Sequence, residues 1–256
     1  MQDDNGLVLY EFPCSEKIRF YLRLESLKRR FDWYLMQDAP VAHQAAISTL
    51  FELSDVAARS DLKNELLKEL LQQRRELEAL PDDAVVHGAR AADVLVQVAA
   101  AAKAVSSAVG RTGQTIRDSE WLQIVRNRQQ LPGGTCEFDL PQLHFWLSRP
   151  ADHRRRELAT LASTLSPITQ AAELILGHIR SRTAITEETA ERGMIQVPVT
   201  GRTYQLSRIW MPAESELIPE VSANRYTLWI RFSKPDARRR LHVVRETLSF
   251  RLGLCE

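Results

Sequence analysis

The 256-residue sequence predicts an α+β protein. A mainly helical N-terminal domain is followed by a small C-terminal antiparallel β domain, and the N-terminal strand rejoins that sheet. Three observations carry this. Apolar residues recur at spacings of three and four through roughly the first 180 residues. Beyond Thr183 the spacing changes to short, partly alternating β-prone runs separated by turn clusters. One early run, Leu7–Phe12, is β-prone yet stands alone, so it must pair with strands later in the chain. The expected domains are residues 13–182, helical, and residues 7–12 with 193–254, strand-rich.

Pro13 stops the first strand, and Ser15 can cap a helix running to about Gln37, with Phe20, Leu24, Leu27, Phe31 and Tyr34/Leu35 as its buried stripe. Arg19, Arg23 and Arg30 border that stripe. Asp38-Ala39-Pro40 breaks the helix, and a second runs to about Arg59. Ser60 or Asp61 caps a third, whose Leu62, Leu66, Leu70, Leu77 and Leu80 form an aliphatic face for packing within or between chains. A fourth spans about Ala89–Val109, with Val94, Val98 and Val105 small enough for close approach, and a fifth spans about Ile116–Gln130.

An elbow follows. Pro132-Gly133-Gly134 is a turn signal, Thr135–Phe138 has room for a brief extended piece, and Asp139 with Pro141 reads as the start of an aromatic helix carrying His144. Arg126 and Arg128 before it and Arg149 after it give the joint a basic lining. A long helix from about Asp152 to Arg180 contains Pro167, which should kink or split it. Strands are expected within Met194–Thr200, Thr203–Trp210, Arg225–Phe232 and His242–Leu252.

Lys and Arg total 34 against 33 Asp and Glu, so the overall charge points to no polyanion partner. The end from Asn224 onward is locally basic, with eight Lys/Arg against three acids. No run approaches a membrane span or a secretory leader, and three scattered cysteines, Cys14, Cys136 and Cys255, suit a reducing compartment, so a cytoplasmic protein is expected.

Catalytic patterns are missing. The sequence has no phosphate-binding loop, no dinucleotide glycine pattern, no CxxC and no nucleophile elbow. Cys136 with His144 is two ligands, short of a metal site. Glu187, Glu188 and Glu191 read as a solvated loop. No enzyme, cofactor or metal is expected. His144 reads either as a half-buried histidine on an apolar helix or as a binding-surface group beside Arg126 and Arg128. Arg238-Arg239-Arg240 reads as an exposed loop. An alternative function, a nucleic-acid adaptor, would use Tyr204, Trp210, Tyr226 and Trp229 to stack bases, against the simpler reading of these as sheet core.

Several long, irregular motifs add a resemblance. Leu-Tyr-Glu-Phe-Pro-x-x-Glu-Lys-Ile-Arg-x-x-Leu-Arg (Leu9 to Arg23), Glu65-Leu-Leu-Lys-Glu-Leu70, Arg126-Asn-Arg128, Pro132-Gly-Gly134, Phe138-Asp-Leu-Pro-x-Leu-His-x-Trp-Leu147 and Leu165-Ser-Pro-Ile-Thr-Gln170 resemble the bacterial ZapD cell-division family, as do Arg225 and Ile230-Arg-Phe232. The resemblance implies a non-enzymatic cytoplasmic homodimer at the midcell division ring. It would bind the C-terminal tail of FtsZ and cross-link FtsZ filaments into bundles. It maps the family's basic positions onto Arg19, Arg23, Arg59, Lys63, Arg117 and His144 in the helices, and onto Arg225 and Arg231 in the strands. Glu120 departs from that pattern at a place that can be basic. A tail with an apolar core and acidic side chains calls for basic walls and an apolar floor.

Overall fold

The computed structural model describes residues 6–256 apart from 82–83, 87–88, 109, 200 and 225. The chain forms two compact units, Phe20–Leu176 and the two chain ends, Met1–Arg19 with Gly177–Glu256. Its elements in order are β1 (Leu7–Pro13), α1 (Glu16–Met36), α2 (Pro40–Ala57), α3 (Leu62–Glu78), β2 (Val85–Val86), β3 (Ala89–Arg90), α4 (Ala91–Ser107), α5 (Gln114–Asp118), α6 (Glu120–Gln129), α7 (Pro141–Leu147), α8 (Ala151–Ser163) and α9 (Ser166–Ser181). The strands β4 (Ala184–Ala190), β5 (Met194–Pro198), β6 (Leu206–Pro212), β7 (Ile218–Ala223), β8 (Thr227–Pro235), β9 (Leu241–Val243) and β10 (Leu248–Cys255) follow. The α+β class is as expected, with helices first and antiparallel strands after.

Helix α1 begins where Ser15 Oγ accepts the Ile18 N–H at 3.5 Å. Its buried residues include Tyr21, Leu24 and Phe31. Phe20, expected in the buried stripe, is only half-buried. Pro40 opens α2, where its missing N–H leaves no helical bond unmade. The leucine face of α3 packs within the chain: Leu62, Leu66, Leu70 and Leu77 are buried and the neighbouring helix is α4, through Val94, Val98 and Val105. Each such leucine contributes about 1.5–3 kcal/mol by leaving water. Leu80, the expected end of the face, is exposed.

Pro167 splits the predicted long helix into α8 and α9. The predicted fifth helix is also two pieces, because Ser119 adopts extended backbone (φ −76°, ψ 106°) between α5 and α6. At the elbow Thr135–Phe138 forms turns instead of an extended piece. The helix cap is Leu140 instead of Asp139, and the N–H groups of both residues donate to the Cys136 carbonyl, at 3.0 and 2.9 Å. Gly134 is required there, since a Cβ would collide with the Arg128 carbonyl oxygen. Leu143 and Trp146 turn inward; the Trp146 indole N–H donates to Glu157 and its ring lies 5.7 Å from that of Trp121.

In the strand-rich unit, one antiparallel sheet has the order β1-β6-β10-β4, so the first strand pairs with β6 through the register Leu7↔Pro212 to Pro13↔Leu206. The second sheet has the order β5-β8-β7, with β9 also paired to β8. Ile209, Met211, Phe250 and Leu252 of the first sheet share one core with Leu228, Ile230 and Phe232 of the second. The Phe232 and Phe250 rings meet at 4.8 Å. Glu11 anchors the first sheet, accepting from Arg180 Nη2 at 2.5 Å and from its cross-strand partner Arg208 at 3.0 Å. Glu187 and Glu188, read as a loop, lie in β4, where cross-strand Arg251 donates to Glu187 at 2.9 Å. Strand β7 was likewise not expected, and His242–Leu252 divides between β9 and β10.

Candidate functional site

The candidate cations sort by what holds each of them. On α1, Phe20 is the organising residue. Its ring carries the Arg59 guanidinium 4.2 Å from the centroid and the Arg23 guanidinium at 5.3 Å. Arg23 is exposed and makes no ion pair among the described residues. Arg59, at the end of α2, is also held by Asp61 at 2.5 Å and by Glu65 at 3.5 Å. A ring under two cations offsets part of their mutual repulsion through its negative face. The result is a fixed patch of two guanidiniums with an aromatic floor.

Lys63 and Arg117 belong to the same end of the helical unit. Lys63 Nζ donates to the Ala108 carbonyl at 2.8 Å, tying the start of α3 to the end of α4. Arg117 Nη2 donates to the Thr112 carbonyl at 2.7 Å. Both partners are neutral, so both side chains keep their full charge. The cap of α5, the helix that carries Arg117, approaches α2 closely at Gly113 (φ +72°), where a Cβ would collide with Ser54 Oγ.

His144 resolves in favour of the surface. Its side chain is 54% exposed and Nδ1 lies 3.4 Å from the Glu137 carboxylate. Of the expected basic lining beside it, Arg126 is engaged with Asp55 at 2.6 Å and lies over the Phe51 ring. Arg19 belongs to the strand-rich unit and pairs with Glu16 at 3.1 Å. Arg231, on β8, pairs with its cross-strand neighbour Glu220 at 2.5 Å and lines a groove of about 630 Å³ with Met194 and Trp229. Arg225 lies outside the described residues. The structure thus brings Arg23, Arg59, Lys63 and Arg117 to one end of the helical unit, while Arg231 is held in the other unit. Sequence reasoning missed Phe20 as part of the site. The signal was its place between Arg19 and Arg23, one helical turn before the second of them.

Among the described residues no group of three or more His, Cys, Asp or Glu is placed to hold a metal ion, and no helix is long and apolar enough to cross a membrane. The aromatic row proposed for base stacking is not a continuous surface. Trp210 is buried beneath Arg208, Trp229 and Tyr204 are half-buried, and Tyr226 is exposed.

The structure defines an α+β protein whose helical unit carries two guanidiniums over one aromatic ring. Comparison with known proteins gives the family. The family model ZapD, described as a cell division protein, matches residues 22–231. The cell division protein ZapD of Ralstonia pickettii (strain 12J) is 41% identical over 251 residues, which is 97% of this chain and 99% of that protein. The chain belongs to the ZapD family, a family of cell-division factors and no known enzyme family.

Proposed function

We propose that this cell-division protein binds the C-terminal tail of FtsZ and, as a homodimer, cross-links FtsZ filaments into bundles that stabilise the division ring at midcell in the cytoplasm. The observation that supports the reading best is the patch of Arg23 and Arg59 on the Phe20 ring, with Lys63 and Arg117 at the same end of the unit. A short acidic peptide with apolar side chains finds there both halves of what it needs: charge-assisted hydrogen bonds at the walls and an aromatic surface beneath. His144 and Arg19, exposed and only lightly held, and Arg225 and Arg231 of the strand-rich unit complete the proposed set of contacts. Individual exposed ion pairs contribute only about 0–1 kcal/mol, so binding has to be the sum of several. Two tails bound by one dimer raise the avidity without any new contact.

The test is sedimentation of purified FtsZ with GTP. Added protein should increase the pelleted polymer, and light scattering should show a dimer. Full bundling of an FtsZ that lacks its tail would sink the mechanism. Arg23→Glu together with Arg225→Glu should abolish bundling while leaving the thermal melt in place; unchanged bundling would show that the tail binds elsewhere.

A further inference from the structure

The β8–β9 hairpin is strongly cationic and lies outside the proposed tail site. From Phe232 to Arg245 there are five Lys/Arg (Lys234, Arg238, Arg239, Arg240 and Arg245) against the single acid Asp236. All five cations are exposed and, among the described residues, none has an ion-pair or hydrogen-bond partner for its side chain. The acid is spent on the turn. Asp236 Oδ1 accepts the backbone N–H groups of Arg238 and Arg240 at 2.8 and 2.9 Å, and Oδ2 lies 3.0 Å from His242 Nε2. Asp236 N also donates to the Arg240 carbonyl at 2.9 Å, closing the loop. Arg239 sits at φ +61°, where a glycine would be easier to place. The turn therefore presents three consecutive guanidiniums on a fixed frame.

The sides of the hairpin differ. In the β8–β9 register Lys234 faces His242, while Pro235 pairs with Leu241 and Ser233 with Val243. Leu241 and Val243 thus share one face, and they are 48% and 44% exposed. A cationic tip beside two exposed aliphatic side chains is the pairing that suits a surface both anionic and apolar within a few ångströms of depth. A duplex would meet these arginines through phosphates and base edges but offers little to the exposed Leu241 and Val243. Stacking of unpaired bases would rest on the His242 ring, which is already engaged with Asp236, because the Phe232 side chain is buried.

We propose that the β8–β9 hairpin is a peripheral docking tip for an anionic lipid bilayer: Arg238, Arg239 and Arg240 meet lipid phosphates, and Leu241 with Val243 enter the head-group layer. None of these residues belongs to the proposed tail site, so the two readings stand or fall separately.

The experiment is co-sedimentation of the full-length protein with vesicles of phosphatidylcholine mixed with phosphatidylglycerol, and with vesicles of phosphatidylcholine alone. Binding is expected to the mixed vesicles only and should weaken as salt rises. Replacing Arg238, Arg239 and Arg240 together by serine should lower the partition coefficient about fivefold for each charge lost, on the order of a hundredfold in all. Replacing all three by lysine should retain most of the binding. Leu241→Ser with Val243→Ser should lower it several-fold. Asp236 is kept in every variant, and unchanged circular-dichroism melts confirm the fold. The proposal is overturned if the natural protein ignores the anionic vesicles, or if the triple serine or the Leu241/Val243 variant binds like it. It is also overturned if a DNA duplex at equal phosphate concentration is bound more tightly through the same arginines.

Discussion

Arg154 Nε donates to Nδ1 of His43 across 2.9 Å inside the helical unit, with the arginine only 3% exposed and the histidine fully buried. The bond fixes the imidazole as the neutral tautomer that carries its proton on Nε2, which lies 3.3 Å from the Leu35 carbonyl. Arg154 also donates to the carbonyls of Asp38 (2.6 Å), Arg149 (2.9 Å) and Leu147. One buried guanidinium thus ties together the ends of α1 and α7 and the starts of α2 and α8, with no carboxylate in contact among the described residues.

Acid should therefore loosen the helical unit. Burial holds the His43 imidazole below its ordinary range, and the nearby Arg154 and Arg155 charges act in the same direction, against the Leu35 and Gln37 carbonyls. The unfolded chain takes up the proton near pH 6.5 and the folded one does so only at lower pH, so this contribution is complete above about pH 6.5 and is lost as pH falls below it. The slope is at most about 1.4 kcal/mol per pH unit from one group. Thermal melts between neutral and mildly acidic pH should show it, and His43→Gln, which keeps an acceptor but cannot titrate, should flatten it.

Arg154→Met should be among the most damaging single changes. It leaves the buried His43 lone pair without a donor, at a cost of about 1–3 kcal/mol, and removes the donor of three part-buried carbonyls besides. Urea unfolding monitored by circular dichroism measures this directly. Arg154→Lys should recover only part of the loss, since an ammonium cannot reproduce the fork.

Removing an acid should strengthen tail binding, if the proposed function holds. Asp61 and Glu65 compete with any acidic peptide for Arg59. Asp61→Asn should lower the Kd for a tail peptide several-fold at low salt and change little at high salt, when exposed charges are screened. Phe20→Ala should act in the opposite sense, by removing the floor on which Arg23 and Arg59 rest. Calorimetric titration with the peptide distinguishes the two.

Two glycines with similar backbones should respond unequally to alanine. Gly201 (φ +84°) opens on free space, so Gly201→Ala costs only the left-handed conformation, about 1–2 kcal/mol. Gly113→Ala adds a collision with Ser54 Oγ and should lose about 1–3 kcal/mol more, together with the position of α5 and its Arg117.

The cysteines should separate in reactivity. Burial pushes the Cys14 thiol up to about 11, and Cys255 is raised for the same leading reason. Cys136 is exposed. A thiol reagent at neutral pH should label Cys136 alone in the folded protein and all three on unfolding.

Patterns that depend on a residue's own neighbours were legible in the sequence. The helical periodicities of α1 and α3, the break before Pro40, the split at Pro167 and the turn at Pro132-Gly133-Gly134 follow from side-chain spacing and backbone chemistry alone. So did the pairing of Leu7–Pro13 with a later strand, because a lone strand leaves its backbone groups unmet. Strand β4 was not legible: its Ala-Ile-Thr-Glu-Glu-Thr-Ala reads as solvated loop, and what makes it a strand is Leu248–Leu254 alongside it. The break at Ser119 carries no proline or glycine to announce it. Phe20 fits the apolar stripe by spacing, and only the arrival of Arg59 from the end of α2 makes it a floor for cations. The Arg154 anchor was invisible for a similar reason. Its partners are mostly backbone carbonyls, which every residue possesses, and its side-chain partner among the described residues is 111 positions away.

The sequence by itself therefore determined most of the helices, the fold class and the supply of basic residues, since these rest on local spacing and composition. Tertiary structure alone decided which cations are free and which are held: Arg23 exposed beside a ring, Arg59 shared with Asp61, Arg126 engaged with Asp55, and Arg238–Arg240 left open because Asp236 turns its charge on its own loop. The physical reason is that a charge is defined by its surroundings within a few ångströms, and the fold fills that space with residues far away in the chain.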